Sequence, residues 1–228
     1  MKPKESMNIF LYLCRLKQLL TVMKKRITVY GGSSSNISAV YTDAAREVGR
    51  EIAMVGAVLV NGAGRTGMMG ASVEGALEAG GETVGIIPQF MRDRGWHNDR
   101  IGELVVAPDM HRRKALMAQS WGCIALPGGI GTFEELCEII TWRQLGLFGG
   151  NVVILNIGGF YDPLLAMLDR AVVEGFMKTD HLSAFSVVYT ARAAVAAALA
   201  DHKDVSYTPK FCPRCPTASP RSNTLLSM

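Results

Sequence analysis

The chain has 228 residues, 49% hydrophobic and 19% charged, which suits one α/β domain with a substantial core and excludes a chain disordered over most of its length. Its formal charge of +4 is a property of the ends, because residues 23–208 hold 17 basic and 19 acidic side chains, a net of −2. That distribution gives no electrostatic case for binding DNA or RNA.

Residues 1–22 read as an N-terminal extension, disordered or helical. Their apolar run, Ile9 to Cys14, is stopped by Arg15 and Lys17. A membrane span needs about 20 apolar residues, so this run does not cross one. No small-residue cleavage site follows, so it is a poor signal peptide. Met23-Lys24-Lys25-Arg26 looks like a natural start directly before a strand, and residues 23–204 read as the single folded domain.

Ile27 to Tyr30 is the first predicted strand, followed at once by Gly31-Gly32-Ser33-Ser34-Ser35. Val40, Ala44, Val48 and Ile52 recur every fourth residue and predict an amphipathic helix. Ala57 to Val60 is a second strand, and Asn61 to Gly70 a second glycine-rich turn opening a helix through Ala79. Gly80-Gly81 ends that helix. Thr83 to Ile87 is a third strand stopped by Pro88. Gln89 to Gly102 is polar and irregular and reads as a loop bordering a site, where Trp96 and His97 could stack on a base or ribose or simply pack as surface.

Glu103 to Ala107 is the fourth strand, with Asp109 as N-cap of the next helix. His111-Arg112-Arg113-Lys114 then puts three cations in a first turn. Each opposes the helix dipole by about 0.3–1 kcal/mol. A bound phosphate would offset that repulsion, and arginine can clamp one with paired donors. A solvated basic patch is the plain alternative.

Cys123 to Leu126 reads as a buried strand and Leu136 to Trp142 as a helix, running on to Leu145 before Gly146. Between them stands Pro127-Gly-Gly-Ile-Gly-Thr-Phe-Glu-Glu135. A glycine turn feeding a helix N-terminus aims unpaired N–H groups at one spot, which is an anion site. Thr132 and Glu135 also have the T-x-x-E spacing of a capping box, a purely structural role for that glutamate. Further on, Val152 to Leu155 is a strand, and Tyr161-Asp162-Pro163 starts a helix with Leu165, Leu168 and Val172. Phe185 to Tyr189 is the last strand and Ala191 to Ala200 the terminal helix. Strands alternating with helices predict a parallel sheet wrapped on both faces, with ligands at the carboxyl ends of its strands. Residues 205–228 are Pro/Ser-rich without periodicity and read as a flexible tail; Cys212 and Cys215 are half of a zinc site with no second pair. Two of the five cysteines lie in apolar, core-like contexts. The odd total fits no disulfide framework, so a reducing cytoplasmic compartment is the default.

Gly-Ser-Ser after the first strand, Gly67-Met-Met-Gly70, Met110-His-Arg-Arg-Lys114, Pro127 to Glu135 and Thr141-Trp-Arg-Gln-Leu-Gly146 together resemble the LONELY GUY family. These are cytokinin riboside 5′-monophosphate phosphoribohydrolases, often mislabelled lysine decarboxylases. The resemblance spans residues 24–200, with the motifs in the family's order. It implies a Rossmann-like, doubly wound homodimer that splits purine nucleoside 5′-monophosphates into free base and ribose 5-phosphate, without cofactor or metal. It further implies catalytic roles for Arg113 and Glu135. Substrate or phosphate contacts fall to Gly128, Gly129, Gly131, Thr132, Glu134, Lys114, Met110, Ser33 and Ser34. The sequence departs from the family at Gly32, where a cysteine is usual, in the turn Asn61–Gly67, and in lacking a glutamate across Met91–Arg100.

Three rival readings were weighed. A non-catalytic nucleotide or molybdenum-cofactor carrier shares a PGGxGT-type loop and remains the alternative. A dinucleotide dehydrogenase wants G-x-G-x-x-G after the first strand, and Gly-Gly-Ser-Ser-Ser does not supply it. A pyridoxal enzyme needs a Schiff-base lysine, and neither Lys114 nor Lys178 has a convincing cofactor context.

Overall fold

The computed structural model describes residues 24–201; the readings made for residues 1–22 and for Cys212 and Cys215 lie outside them. Seven strands form one parallel sheet: β1 (Arg26–Tyr30), β2 (Val58–Asn61), β3 (Glu82–Pro88), β4 (Glu103–Ala107), β5 (Gly122–Ala125), β6 (Asn151–Leu155) and β7 (Ser186–Val188). Their order is β4-β3-β2-β1-β5-β6-β7. The strand order reverses between β1 and β5, which pair from Ile27↔Gly122 to Tyr30↔Ala125. In open α/β sheets that reversal leaves a crevice at the strands' carboxyl ends.

Among the described residues six helices connect the strands, α1 (Ala39–Met54), α2 (Gly67–Glu78), α3 (Gln89–Asp93), α4 (Met110–Met117), α5 (Ile130–Gln144) and α6 (Asp162–Val173), and α7 (Ala191–Leu199) follows β7. Two short 3-10 turns, Ile157–Gly159 and Thr179–Ala184, complete the described chain.

The strands are apolar along their length because both faces are covered. Alternate side chains go to opposite layers. Ile27, Val29 and Ile124 pack with α1, α2 and α7, whereas Tyr30, Cys123 and Ala125 pack with Met117 of α4 and with Leu136, Ile139 and Ile140 of α5. Each fully buried side chain such as Ile27 or Ile124 contributes about 1.5–3 kcal/mol. Thr28, a buried polar residue on β1, is satisfied by donating its hydroxyl to Met117 O at 2.6 Å, which ties the end of α4 to the sheet.

Several sequence expectations need correction. Val40 is exposed, and the buried face of α1 is Ala45, Val48, Gly49 and Ile52. A strict four-residue spacing drifts from the 3.6-residue turn, so the first member of the predicted stripe rotates out to solvent. Gln89 to Gly102 is not all loop, since α3 occupies its start; α3 has no buried residue, so it leaves no apolar stripe in the sequence. The helix predicted from Leu136 begins six residues earlier, at Ile130 with Gly129 as N-cap. Cys123 is buried as expected, but Cys137 is exposed on α5.

Candidate active site

The turn from β5 into α5 is tight because Gly128 lets backbones meet. A Cβ on Gly128 would lie 2.2 Å from Thr132 Oγ1 and 2.9 Å from Gly32 N. Only glycine lets this turn close against the loop after β1, which it does through a bond from Gly32 N to Pro127 O at 3.0 Å. Gly129 and Gly131 face open space. The first-turn N–H groups of α5 have no acceptor within the helix, so the turn presents free donors and a positive dipole end. The capping-box reading fails here, because Thr132 is the third helical residue and not the cap. Thr132 is buried against Gly128, and Glu135 is released for another partner.

That partner is Arg113. Its Nη1 donates to Glu135 Oε1 at 2.8 Å, with the two side chains only 9% and 12% exposed. Arg113 Nε donates to Ile86 O of β3 at 3.1 Å, and a Cβ on Gly62 would stand 2.2 Å from its Nη2. The guanidinium is therefore held by a carbonyl, a carboxylate and a glycine Cα. Burial pushes the Glu135 carboxyl above the usual carboxylate range; Arg113 opposes this, Glu134 adds to it and Lys114 resists it, with the net direction upward. Arg113 and Lys114 are adjacent on α4, and the acids they meet are adjacent on α5. Lys114 Nζ bonds Glu134 and lies 3.1 Å from Glu138 Oε1. Burial acts to lower the Lys114 pKa, but its bonds to Glu134 and Glu138 outweigh that, and the ammonium is held protonated.

A cleft of about 270 Å³ opens beside the turn at the β1/β5 reversal. Ser33, Ser34, Gly128 and Gly129 line it together with apolar Ile37, Tyr41, Met68 and Phe160. The tip of the loop after β1 is fixed from α2, where Thr66 Oγ1 donates to Ser33 O at 2.6 Å and Met68 N to Gly32 O at 2.8 Å. Of the residues singled out in the sequence, then, Ser33, Ser34, Gly128 and Gly129 meet at the cleft. Arg113 with Glu135 and Lys114 with Glu134 form two ion pairs on the α4/α5 side. Met110 is 39% exposed at the start of α4 and joins neither group. Trp96 is half exposed with the Arg94 guanidinium 5.1 Å from its ring, and His97 is tied to the loop after β2 by a bridge to Gly64.

Four residues escaped the sequence reading. Glu138 was legible in principle, since it follows Glu134 by four residues and shares its helix face. Tyr30, buried at the end of β1 and pushed well up in pKa first by burial, lies within the electrostatic reach of both Glu135 and Arg113. Asn61 and Gly62, at the end of β2, read as turn formers and gave no sign that Gly62 backs onto Arg113.

Comparison with known proteins decides the family. The family model described as "Possible lysine decarboxylase" matches residues 69–198. A rice protein named probable cytokinin riboside 5′-monophosphate phosphoribohydrolase LOGL1 is 46% identical over 68% of this chain and 70% of its own. The chain belongs to the LONELY GUY family. The Arabidopsis thaliana enzyme LOG5 of the same family, a cytokinin riboside 5′-monophosphate phosphoribohydrolase, is 43% identical over 71% of both chains. Among solved structures, the molybdenum cofactor binding protein of Rippkaea orientalis aligns with a TM-score of 0.60 at 22% identity, over 77% of this chain and 95% of that one. At that identity the likeness speaks for the Rossmann-like fold.

Proposed function

We propose that this chain hydrolyses the N-glycosidic bond of purine nucleoside 5′-monophosphates, of the cytokinin or AMP type, to free base and ribose 5-phosphate. The observation that carries the reading is a buried carboxylate, Glu135, paired with Arg113 one turn below an open helix N-terminus. The relatives' names supply the substrate class, and the site supplies the means.

The phosphate would dock on the free N–H groups around Gly128, Gly129, Gly131 and Thr132, with Ser33 and Ser34 across the cleft. Lys114 has three donors, and Glu134 and Glu138 use two of them, which leaves one for the ligand. With the phosphate anchored, ribose C1′ comes toward Glu135. As the C1′–N bond breaks, its electron pair leaves with the base nitrogen and positive charge develops on the sugar, as in glycoside hydrolysis. Glu135 stabilises that charge and takes a proton from the water whose oxygen bonds C1′; the departing base gains a proton. Arg113 holds Glu135 ionised and aimed.

The carrier reading shares the fold but leaves the Glu135–Arg113 pair without a task. Lysine decarboxylation, which the family model's description names, needs a lysine amine with a lowered pKa. That of Lys114 is raised. A homodimer belongs to the same reading, supported by α6, which has no buried residue and whose Met167 and Val173, with Phe176 beyond its end, are 66%, 78% and 77% exposed. So does a reducing cytoplasmic setting, which the exposed thiol of Cys137 suits. Among the described residues no helix is long and apolar enough to cross a membrane. Incubating the protein with a panel of nucleoside monophosphates and separating free base from ribose 5-phosphate tests the proposal. Release of base from purine monophosphates is expected, and no release from any of them would overturn it.

A further inference from the structure

We propose that Asn61 is a positioning residue for the Arg113–Glu135 pair, acting through the turn Gly62–Gly64. The inference rests on the functional reading of that pair given above. Asn61 ends β2 and is fully buried, with both ends of its amide engaged. Its Oδ1 accepts from Ala63 N at 2.9 Å, and its Nδ2 donates to Met69 O at 3.1 Å. The residue it grips is unusual. Ala63 has φ 63°, the positive-φ residue other than glycine among the described residues. L side chains are disfavoured there, and such outliers persist only where the surroundings hold them.

The surroundings do hold Ala63. It is fully buried, its carbonyl accepts from Asn98 N at 2.9 Å, and Gly85 leaves just enough room for its methyl. A second strap comes from Arg65, whose Nη2 donates to His97 O at 3.0 Å and to Asp99 Oδ2 at 3.1 Å. The result of this bracing is the placement of Gly62, whose Cα backs onto the Arg113 guanidinium so closely that a Cβ would lie 2.2 Å from Nη2. The turn is a wall behind the arginine. It confines the guanidinium to the side on which Glu135 lies, 2.8 Å from Nη1. Without the Asn61 bond, an alanine at 63 relaxes toward negative φ, the wall recedes, and Arg113 gains room away from the carboxylate.

The groups facing Glu135 are Arg113 and Lys114 from α4, Glu134 on its own helix and Tyr30 from β1. Arg113 is the strongest of them in favour of the ionised carboxylate. Loosening it therefore raises the pH at which Glu135 ionises.

The experiment compares Asn61→Ala, Ala63→Gly, the double variant and Gly62→Ala, reading kcat, KM and the pH profile of base release from AMP, with circular dichroism as the fold check. Asn61→Ala is expected to lose about ten- to 10²-fold in kcat, the scale of a small misplacement of a catalytic group, and to move the acid limb of the profile to higher pH. Ala63→Gly alone should keep the wild-type profile, since glycine takes positive φ unaided. The double variant should recover most of the lost kcat. Gly62→Ala, whose added methyl meets the Arg113 guanidinium and Met69 Sδ, moves the guanidinium directly and should shift the acid limb even if Asn61→Ala does not fold. An unshifted acid limb in Gly62→Ala, or a folded Asn61→Ala whose loss is not recovered by glycine at 63, overturns the proposal. A wild-type protein that releases no base would instead overturn the functional reading.

Discussion

Two opposed influences meet on Glu135. Burial among apolar neighbours favours its neutral form, while the Arg113 guanidinium 2.8 Å away favours the charged one, and burial prevails. A carboxylate in that balance titrates above the ordinary range of about 4.3. Activity that needs Glu135 ionised is therefore present above that raised pKa and lost as pH falls through it. The acid limb of kcat/KM against pH should fall above the ordinary carboxylate range. Arg113→Met removes the largest influence favouring the charge, so it should shift that limb further up while lowering kcat. A limb unmoved by Arg113→Met would mean that a different group controls the titration. The residues that carry this chemistry were legible as an adjacent Arg-Lys and an adjacent Glu-Glu. The packing that pairs them was not, because nothing in the spacing of 113 and 135 says that α4 and α5 lie side by side on one sheet face. That juxtaposition comes from the strand order, which brings β5 back beside β1. It puts Arg113 against the carboxylate, one of two roles the sequence reading gave it, the other being half of a phosphate clamp.

The start of α5 governs what each residue of the glycine turn can do. Had Thr132 been the N-cap, Glu135 would have been spent on capping. With Gly129 as cap, Thr132 turns inward onto Gly128 and Glu135 faces α4. The sequence misplaced this boundary because Gly129-Ile130-Gly131 has the composition of a loop, and glycine inside a first turn costs about 0.8–1 kcal/mol relative to alanine. Close approach outweighs that propensity, since the turn must let Gly32 and Thr132 reach the same backbone. Gly128→Ala tests the point. The added methyl meets backbone as well as the Thr132 hydroxyl, an overpacking of about 1–3 kcal/mol. Thermal unfolding should show a Tm lower by several degrees, and calorimetry with AMP should show weakened binding. An unchanged Tm would mean the turn has slack that the geometry does not suggest. By contrast, the strands were readable almost to the residue, because runs such as Val58–Asn61 and Gly122–Ala125 are buried throughout and leave little else for the chain to be. The segment after β3 was harder, since α3 is a five-residue helix with no buried face.

At the scale of the whole molecule, the reversal of strand order at β1 and β5 gathers what the sequence scatters. Loops from the ends of β1, β2 and β5 and the heads of α4 and α5 converge on one edge of the sheet, where the proposed chemistry would be confined. The proposed homodimer would draw on α6, whose apolar residues Met167 and Val173 stay exposed in a single chain. On that proposal, replacing both Met167 and Val173 by aspartate should turn a dimer into a monomer in analytical ultracentrifugation. A dimer that survives both changes would place the interface elsewhere. The most direct test of the account as a whole is the release of adenine from AMP by the wild-type protein and by Glu135→Gln, with both shown to be folded. Glutamine keeps the shape and an acceptor for Arg113 but cannot take a proton or carry a charge. The expected result is ribose 5-phosphate and adenine from the wild type and a loss of about 10²-fold or more in kcat in the variant. Wild-type rates from folded Glu135→Gln would contradict the account.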